Sequence, residues 1–422
     1  METSPNLLKN WAGNVTYNSN KLYEATSVNE AQDIIAKHTN IKALGTRHCF
    51  NTIADSRHNF ISLLPMNKLL HIDETNRTVT MQAGMKYGEL APLINSKGLA
   101  LHNLASLPHI SVAGACITAT HGSGINNKNL SAAVTAFEFI DAEGGLHHLS
   151  KEKDGEKFNG LVVNLGAAGI ITSIALQAEP TYNMRQFVFE HLSFNTMKEN
   201  FKAIMGAGYS VSLFTDWTND INEVWVKQKL SEQEASRKAF FDAIPATQNL
   251  HPIASISAVH CTEQMGVAGA WHDRLPHFKM GFTPSSGEEL QSEYFVAHEH
   301  AVDAIMAVQK LTDKISPHLL ISEIRSIAAD ELWLSPCYKQ NSTAIHFTWK
   351  QNWPAVQKLL PLIEATLATY NAKPHWGKLF SMTGIQLQNR YEKMDAFKSL
   401  VKEYDTKGKF RNDFLNRNIF LD

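Results

Sequence analysis

Cysteine is scarce in this 422-residue chain, and the four present, Cys49, Cys116, Cys261 and Cys337, form no Cys-x-x-Cys pair. That scatter argues against a disulfide framework or a cysteine zinc site and fits reduced thiols. No uncharged apolar run is long enough to cross a bilayer, and the opening Met1-Glu2-Thr3-Ser4-Pro5-Asn6 lacks the basic and apolar parts of a signal peptide. We therefore expect a cytoplasmic protein with no membrane partner. Neither sign of charge is in surplus: 39 Lys plus Arg stand against 41 Asp plus Glu, a net charge of -2, so nucleic acid is not an expected partner. Low-complexity linkers and internal repeats are missing as well. Histidine is plentiful, and His298-x-His300 has ligand-like spacing. With no third ligand in view these read as solvated surface histidines, and no metal is expected.

The chain is long enough for two domains, and its 44% hydrophobic and 19% charged content suits a globular protein. Ser27 and Glu30 form a capping-box pattern before Val28, Ala31, Ile34 and Ile35, which predicts a helix to about Lys37. Ile41 to Gly45 reads as a strand delivering the chain into Thr46-Arg47-His48-Cys49-Phe50-Asn51. Further strands are read at Phe60 to Leu64, Leu69 to Asp73 and Thr78 to Gln82. Tyr87, Leu90, Ala91 and Ile94 mark a helix closed by Gly98. A hairpin follows at Phe137 to Asp141 and Leu146 to Leu149, and Gly166-Ala167-Ala168-Gly169 then leads into an apolar strand from Ile170. Beyond Thr181 the strands lengthen, at Phe187 to Phe194, Tyr209 to Trp217, Glu223 to Gln228, Leu319 to Ile327 and Ala344 to Lys350. A polar helical and loop stretch is read at about Leu230 to Leu250, and a helix through Val302, Ile305, Met306 and Val308. The expected fold class is α+β: a first domain over 1–180, a mainly antiparallel second domain over 181–373, and a segment 374–422 that rejoins the first.

Leu104 to Gly124 is short of charge and rich in Gly, Ala, Ser and Thr. Small side chains let a backbone approach an anion closely and present N–H groups to it. Gly114, Gly122 and Gly124 match neither the dinucleotide fingerprint nor the phosphate-loop pattern, so the stretch reads equally as a buried turn between strands.

Two later strands carry polar residues on one face. Residues two apart in a strand point the same way, so Glu323 pairs with Arg325 and His346 with Thr348. Buried charges must be paired or put to use. A surface salt bridge would explain Glu323 and Arg325 alone, hydrogen bonding would explain His48, and Lys378 could snorkel to solvent.

Taken together, Gly45-Thr46-Arg47-His48-Cys49-Phe50-Asn51, the run Ala105 to Gly114, Thr120-His121-Gly122-Ser123-Gly124, Glu323-Ile324-Arg325, His346-Phe347-Thr348-Trp349 and His375-Trp376-Gly377-Lys378 resemble the motifs of bacterial alditol (xylitol or sorbitol) oxidases. These are FAD flavoproteins of the vanillyl-alcohol-oxidase type. The similarity spans nearly the whole chain, from Asn10-Trp11-Ala12-Gly13-Asn14 to Gly408-Lys409-Phe410. It implies an FAD domain closed by a substrate domain, with the flavin bonded through His48. The matching cofactor positions are Ala43, Leu44, Gly45, Thr46, Arg47, His48, Cys49, Ser106, Ser111, Gly114, Thr118, Ala119, Thr120, His121, Ile170, Ile171 and His375. Substrate positions map onto Ser106, Glu323, Arg325, Thr348 and Lys378. The family commonly has Gly-His-Ser where this chain has Arg47-His48-Cys49.

The activity so implied is oxidation of the C1 hydroxyl of an alditol to the aldose, with hydride passing to FAD and O2 reduced to hydrogen peroxide by a monomer. Arg325 and Lys378 would supply positive charge, Glu323 with Ser106 and Thr348 would bind hydroxyls further along the polyol, and His346 and Lys378 are candidate proton acceptors. Ala105 matches the small residue that lets oxygen reach the flavin. An aldonolactone oxidase, a polyol dehydrogenase using another acceptor, and a non-catalytic flavin-binding protein are the alternatives.

Overall fold

In the computed structural model, which describes residues 8–19, 21–231, 240–281 and 288–421, the first helix starts where its cap predicts. Ser27 Oγ accepts the Glu30 amide at 3.2 Å, and the Glu30 carboxylate accepts from the Thr26 amide and hydroxyl, each at 2.8 Å. The reciprocal bond thus reaches one residue further back than in a standard capping box. The helix Val28–Lys37 buries Ala31 and Ile35.

Strands Leu69–Asp73, Thr78–Gln82 and Leu319–Ile327 have the bounds expected from sequence. The first two join Ile170–Gln177, Val134–Ile140 and Leu146–Ser150 in a five-stranded antiparallel sheet. Beside it, Leu22–Glu24, Phe60–Ser62 and Lys42–Ala43 make a small parallel sheet. The later strands form one nine-stranded sheet, ordered Ile244–Pro245, Asn183–Leu192, Ile221–Lys229, Ser210–Thr215, Leu319–Ile327, Ser342–Lys350, Glu289–Ala297 and Lys373–Pro374, with Gly269–Ala270 beside Asn183–Leu192.

Alternation gives this large sheet two unlike faces. Ile324, Ile345, Phe347, Trp349, Leu290 and Tyr294 join the hydrophobic core, where helices Ala301–Gln309 and Trp353–Leu367 pack. Glu323, Arg325, His346, Thr348 and Glu293 point to the opposite side, toward the first part of the chain. Backbone bonds tie the parts together: Gly124 N to Ser326 O at 2.8 Å, Ile41 N to Lys409 O at 3.0 Å, and Phe50 N to Gly377 O at 2.8 Å. The division at 1–180, 181–373 and 374–422 stands as a proposal, and the strand Lys373–Pro374 crosses its second boundary.

Three local expectations change. The stretch Leu104 to Gly124 holds a short helix, Val112–Ile117, rather than a turn between strands. The described part of the 230–250 stretch contains the short strand Ile244–Pro245 and no helix; its residues 232–239 lie outside the described ones. The strand Glu289–Ala297, next to the short edge strand Lys373–Pro374 of the large sheet, had no counterpart in the sequence reading. Among the described residues no helix is long and apolar enough to cross a membrane, and no cluster of three metal-ligating side chains occurs. His298 Nδ1 lies 2.9 Å from Thr343 Oγ1.

Candidate active site

One cavity lies between the small-residue loops of the first part and the polar face of the large sheet. Its near wall starts at the loop after Lys42–Ala43. Arg47 adopts φ 61°, a left-handed turn, and its carbonyl accepts the Trp11 amide at 2.8 Å. Asn10 and Asn14 donate to the Cys49 and Phe50 carbonyls at 2.9 and 2.8 Å. So clamped, the loop presents His48, whose ring stacks on Trp11 at 5.6 Å with 20° between planes.

His48 Nδ1 is buried and has no hydrogen-bond partner among the described residues. Burial, then the nearby His109, push its pKa down to about 4, so the imidazole is neutral and keeps a free lone pair. An orphaned nucleophilic nitrogen on the cavity wall fits a covalent bond to a flavin. The floor fits as well. A Cβ at Gly114 would stand 2.8 Å from Ser111 Oγ, so the space over Ser111 depends on glycine. Gly122 has a different reason: a Cβ there would meet the Leu104 carbonyl at 2.4 Å, a packing constraint behind the cavity.

Every cofactor position implied by the resemblance lines this cavity except Ala119. Ala119 is buried with φ 55° and turns the chain after Val112–Ile117, so its part is backbone shape. Ser106, Glu323, Arg325, His346, Thr348 and Lys378 line the same space.

The far wall is a charge network. Arg325 donates through Nη2 to Glu293 Oε1 at 2.9 Å and through Nη1 to Ser106 Oγ at 3.4 Å, while its Nε lies 3.5 Å from Glu323 Oε1. Burial works to raise both carboxyls. His121 and Arg325 outweigh it at Glu293, and Arg325 and His277 outweigh it at Glu323, so both stay well below the ordinary carboxylate range. Arg325 is therefore a guanidinium compensated by two carboxylates, and its positive charge is shared before any ligand arrives. The salt bridge read from sequence at the sheet surface is thus present but buried, and it moderates the positive charge that the resemblance implies for Arg325. What Arg325 retains is directional donation: Nε has no hydrogen-bond partner among the described residues.

Lys378 Nζ hydrogen-bonds Gln291 Oε1 and sits 3.4 Å from His346 Nε2, which is 3.2 Å from the same Gln291 oxygen. Burial lowers the Lys378 pKa. Burial first, then Lys378, push His346 down to about 3. His375 is also held at about 3, chiefly by burial, and its Nδ1 accepts the Gly377 amide at 3.0 Å, which fixes a neutral tautomer with the proton on Nε2.

Sequence reading missed Glu293, Gln291, His277 and Lys227. For the first two a signal existed: Glu289, Gln291 and Glu293 alternate with Leu290, Ser292 and Tyr294, as Glu323 and Arg325 do in their strand. For loop residue His277 none did.

The family described as an FAD binding domain matches residues 21–150, and that described as D-arabinono-1,4-lactone oxidase matches 282–418. Alditol oxidase of Streptomyces sp. is 40% identical over 411 residues, covering 96% of this chain and 97% of that one. L-gulono-1,4-lactone dehydrogenase of Mycobacterium tuberculosis is 24% identical, covering 97% of this chain and 98% of its own. Of solved structures, cholesterol oxidase from B. sterolicum superposes with a TM-score of 0.80 at 13% identity, covering 98% of this chain and 96% of that one, a likeness of fold. With its cavity walls in place and a relative of this identity over nearly its full length, the chain is an FAD-dependent oxidoreductase and belongs to the alditol oxidase family of vanillyl-alcohol-oxidase-type flavoproteins.

Proposed function

We propose that this protein oxidises the C1 hydroxyl of an alditol such as xylitol or sorbitol to the aldose, with FAD bonded through His48. When bound, FAD supplies the acceptor for the C1 hydride, at N5, and returns the electrons to O2 as hydrogen peroxide. The observation that carries the reading is that Glu323, Arg325, Lys378 and Thr348 line the same cavity as His48. The charge balance of the chain agrees with a partner list of polyol and O2 without nucleic acid.

Loss of hydride from a primary alcohol requires its hydroxyl proton to be taken up. Of the two candidates, His346 is held at about 3 and is a weak base, whereas burial brings Lys378 down from its ordinary value. Lys378 and His346, 3.4 Å apart and both against Gln291 Oε1, are the two candidate proton acceptors. Arg325 Nε and Nη1 are donors for the substrate oxygen. Glu323 and Thr348 bind hydroxyls further along, and a polyol lacking the matching hydroxyl would leave them buried and unpaired.

The match of 282–418 to a lactone oxidase family favours a second reading, oxidation of an aldonolactone in the same cavity. Assays in air with xylitol, sorbitol and a galactonolactone separate the two. Peroxide formed with the alditols supports the proposal, turnover restricted to the lactone replaces it, and turnover of alditols only with an added dye makes the protein a dehydrogenase.

A further inference from the structure

Beside Glu323 runs a row of buried groups for which the reaction has as yet no use; His277 borders the cavity and Lys227 lies behind it. Lys227, on the strand Ile221–Lys229, is 1% exposed. Its Nζ donates to the Leu275 and Pro276 carbonyls at 2.6 and 3.0 Å and lies 3.2 Å from His277 Nδ1. His277 Nε2 in turn lies 2.8 Å from Glu323 Oε1. The imidazole is wedged between Trp225 and Phe214, with centroids at 5.1 and 5.5 Å. The main chain of the same loop holds the opposite wall, since the His277 and Phe278 amides donate to Ser106 O at 3.2 and 3.3 Å.

Counting protons orders the row. Burial brings the Lys227 pKa down to about 7 against the pull of Glu323; in its ammonium form it has three donors and no acceptor, and two of them go to carbonyls. The third meets Nδ1, which must then be an acceptor, so the single proton of a neutral imidazole sits on Nε2 and faces the Glu323 carboxylate. The depressed His277 pKa of about 4, set by burial and then by Lys227, agrees with a neutral ring. Both contacts to Glu323, from His277 and from Arg325 Nε, fall on Oε1. That leaves Oε2 to accept from a ligand on the cavity side.

We infer that Lys227 and His277 are positioning residues that lock the tautomer and direction of this donor row, so that Glu323 meets the substrate as an acceptor-only group selecting a polyol hydroxyl. The inference rests on the alditol reading above. In its absence Glu323 could turn its hydrogen bonds elsewhere, and the site would lose discrimination rather than chemistry.

The test is steady-state kinetics on the flavin-loaded enzyme with xylitol and with a short 1,2-diol that lacks the distal hydroxyls. His277→Phe and Lys227→Met are expected to raise the KM for xylitol by about tenfold to a hundredfold, the range for a hydrogen bond to a charged group, with a smaller fall in kcat. For the 1,2-diol, the KM change shrinks. His277→Gln, whose Oε1 can accept from Lys227 and whose Nε2 can donate to Glu323, restores most of the wild-type KM. If His277→Phe does not accumulate as yellow protein, Lys227→Met decides by the same criterion. A xylitol KM unchanged in these variants, or a Gln variant as impaired as the Phe one, overturns the inference alone. A wild-type enzyme that turns over no alditol overturns the functional reading and the inference with it.

Discussion

Arg325 reaches across an entire strand to bond Glu293 at 2.9 Å, passing over Ala344, its register partner on the intervening strand. A methyl at position 344 leaves room for the guanidinium, and the ion pair then links Leu319–Ile327 to Glu289–Ala297 over the cavity wall. Both side chains are buried, so each depends on the other for compensation of its charge.

Glu293→Gln removes the compensating charge while keeping the shape. It is expected to cost about 3–5 kcal/mol of stability, as when one partner of a buried pair is lost. Denaturant unfolding followed by fluorescence measures it, and a loss below about 1 kcal/mol, the value of a surface pair, would refute burial of the pair.

Arg325→Ala removes the donors proposed to meet the substrate oxygen. Turnover is expected to fall by about a hundredfold to a thousandfold, the effect of deleting one well-placed donor, while flavin content stays near wild type because His48 stands on the other wall. Equal losses of both would reduce Arg325 to a structural residue.

His48→Ala leaves the cavity without its orphaned nitrogen. Acid precipitation of the wild-type protein should keep the yellow colour in the pellet, and the variant should release it to the supernatant. A colourless wild-type pellet would rule out a bonded flavin.

Acid should destabilise the fold before carboxylates titrate. In the unfolded chain imidazoles protonate near 6.5, whereas in the folded chain His346 and His375 do so at about 3 and His277 at about 4. Between these values the unfolded state binds more protons, so stability rises with pH. It is complete above about 6.5 and is lost as pH falls toward 4 and 3, at up to about 1.4 kcal/mol per pH unit for each ring. Melting temperatures at pH 7 and pH 5 check this, and equal values would mean that the rings are protonated in the fold.

Much of the architecture was legible because its causes are local. The Ser27 cap, the bounds of Leu69–Asp73 and Leu319–Ile327, and the shared face of Glu323 and Arg325 follow from hydrogen bonds and side-chain alternation within a few residues. The motifs around His48, Ser106 and His375 named the family from sequence alone, since they are read in order along the chain. What a strand charge does, however, depends on partners brought from far away. Glu293 meets His121 from 172 positions earlier, and Lys227 meets His277 from 50 positions later. Only the folded sheet decided that Arg325 is a compensated donor instead of a free cation, because the dielectric cost of burying it is set by which carboxylates share its wall.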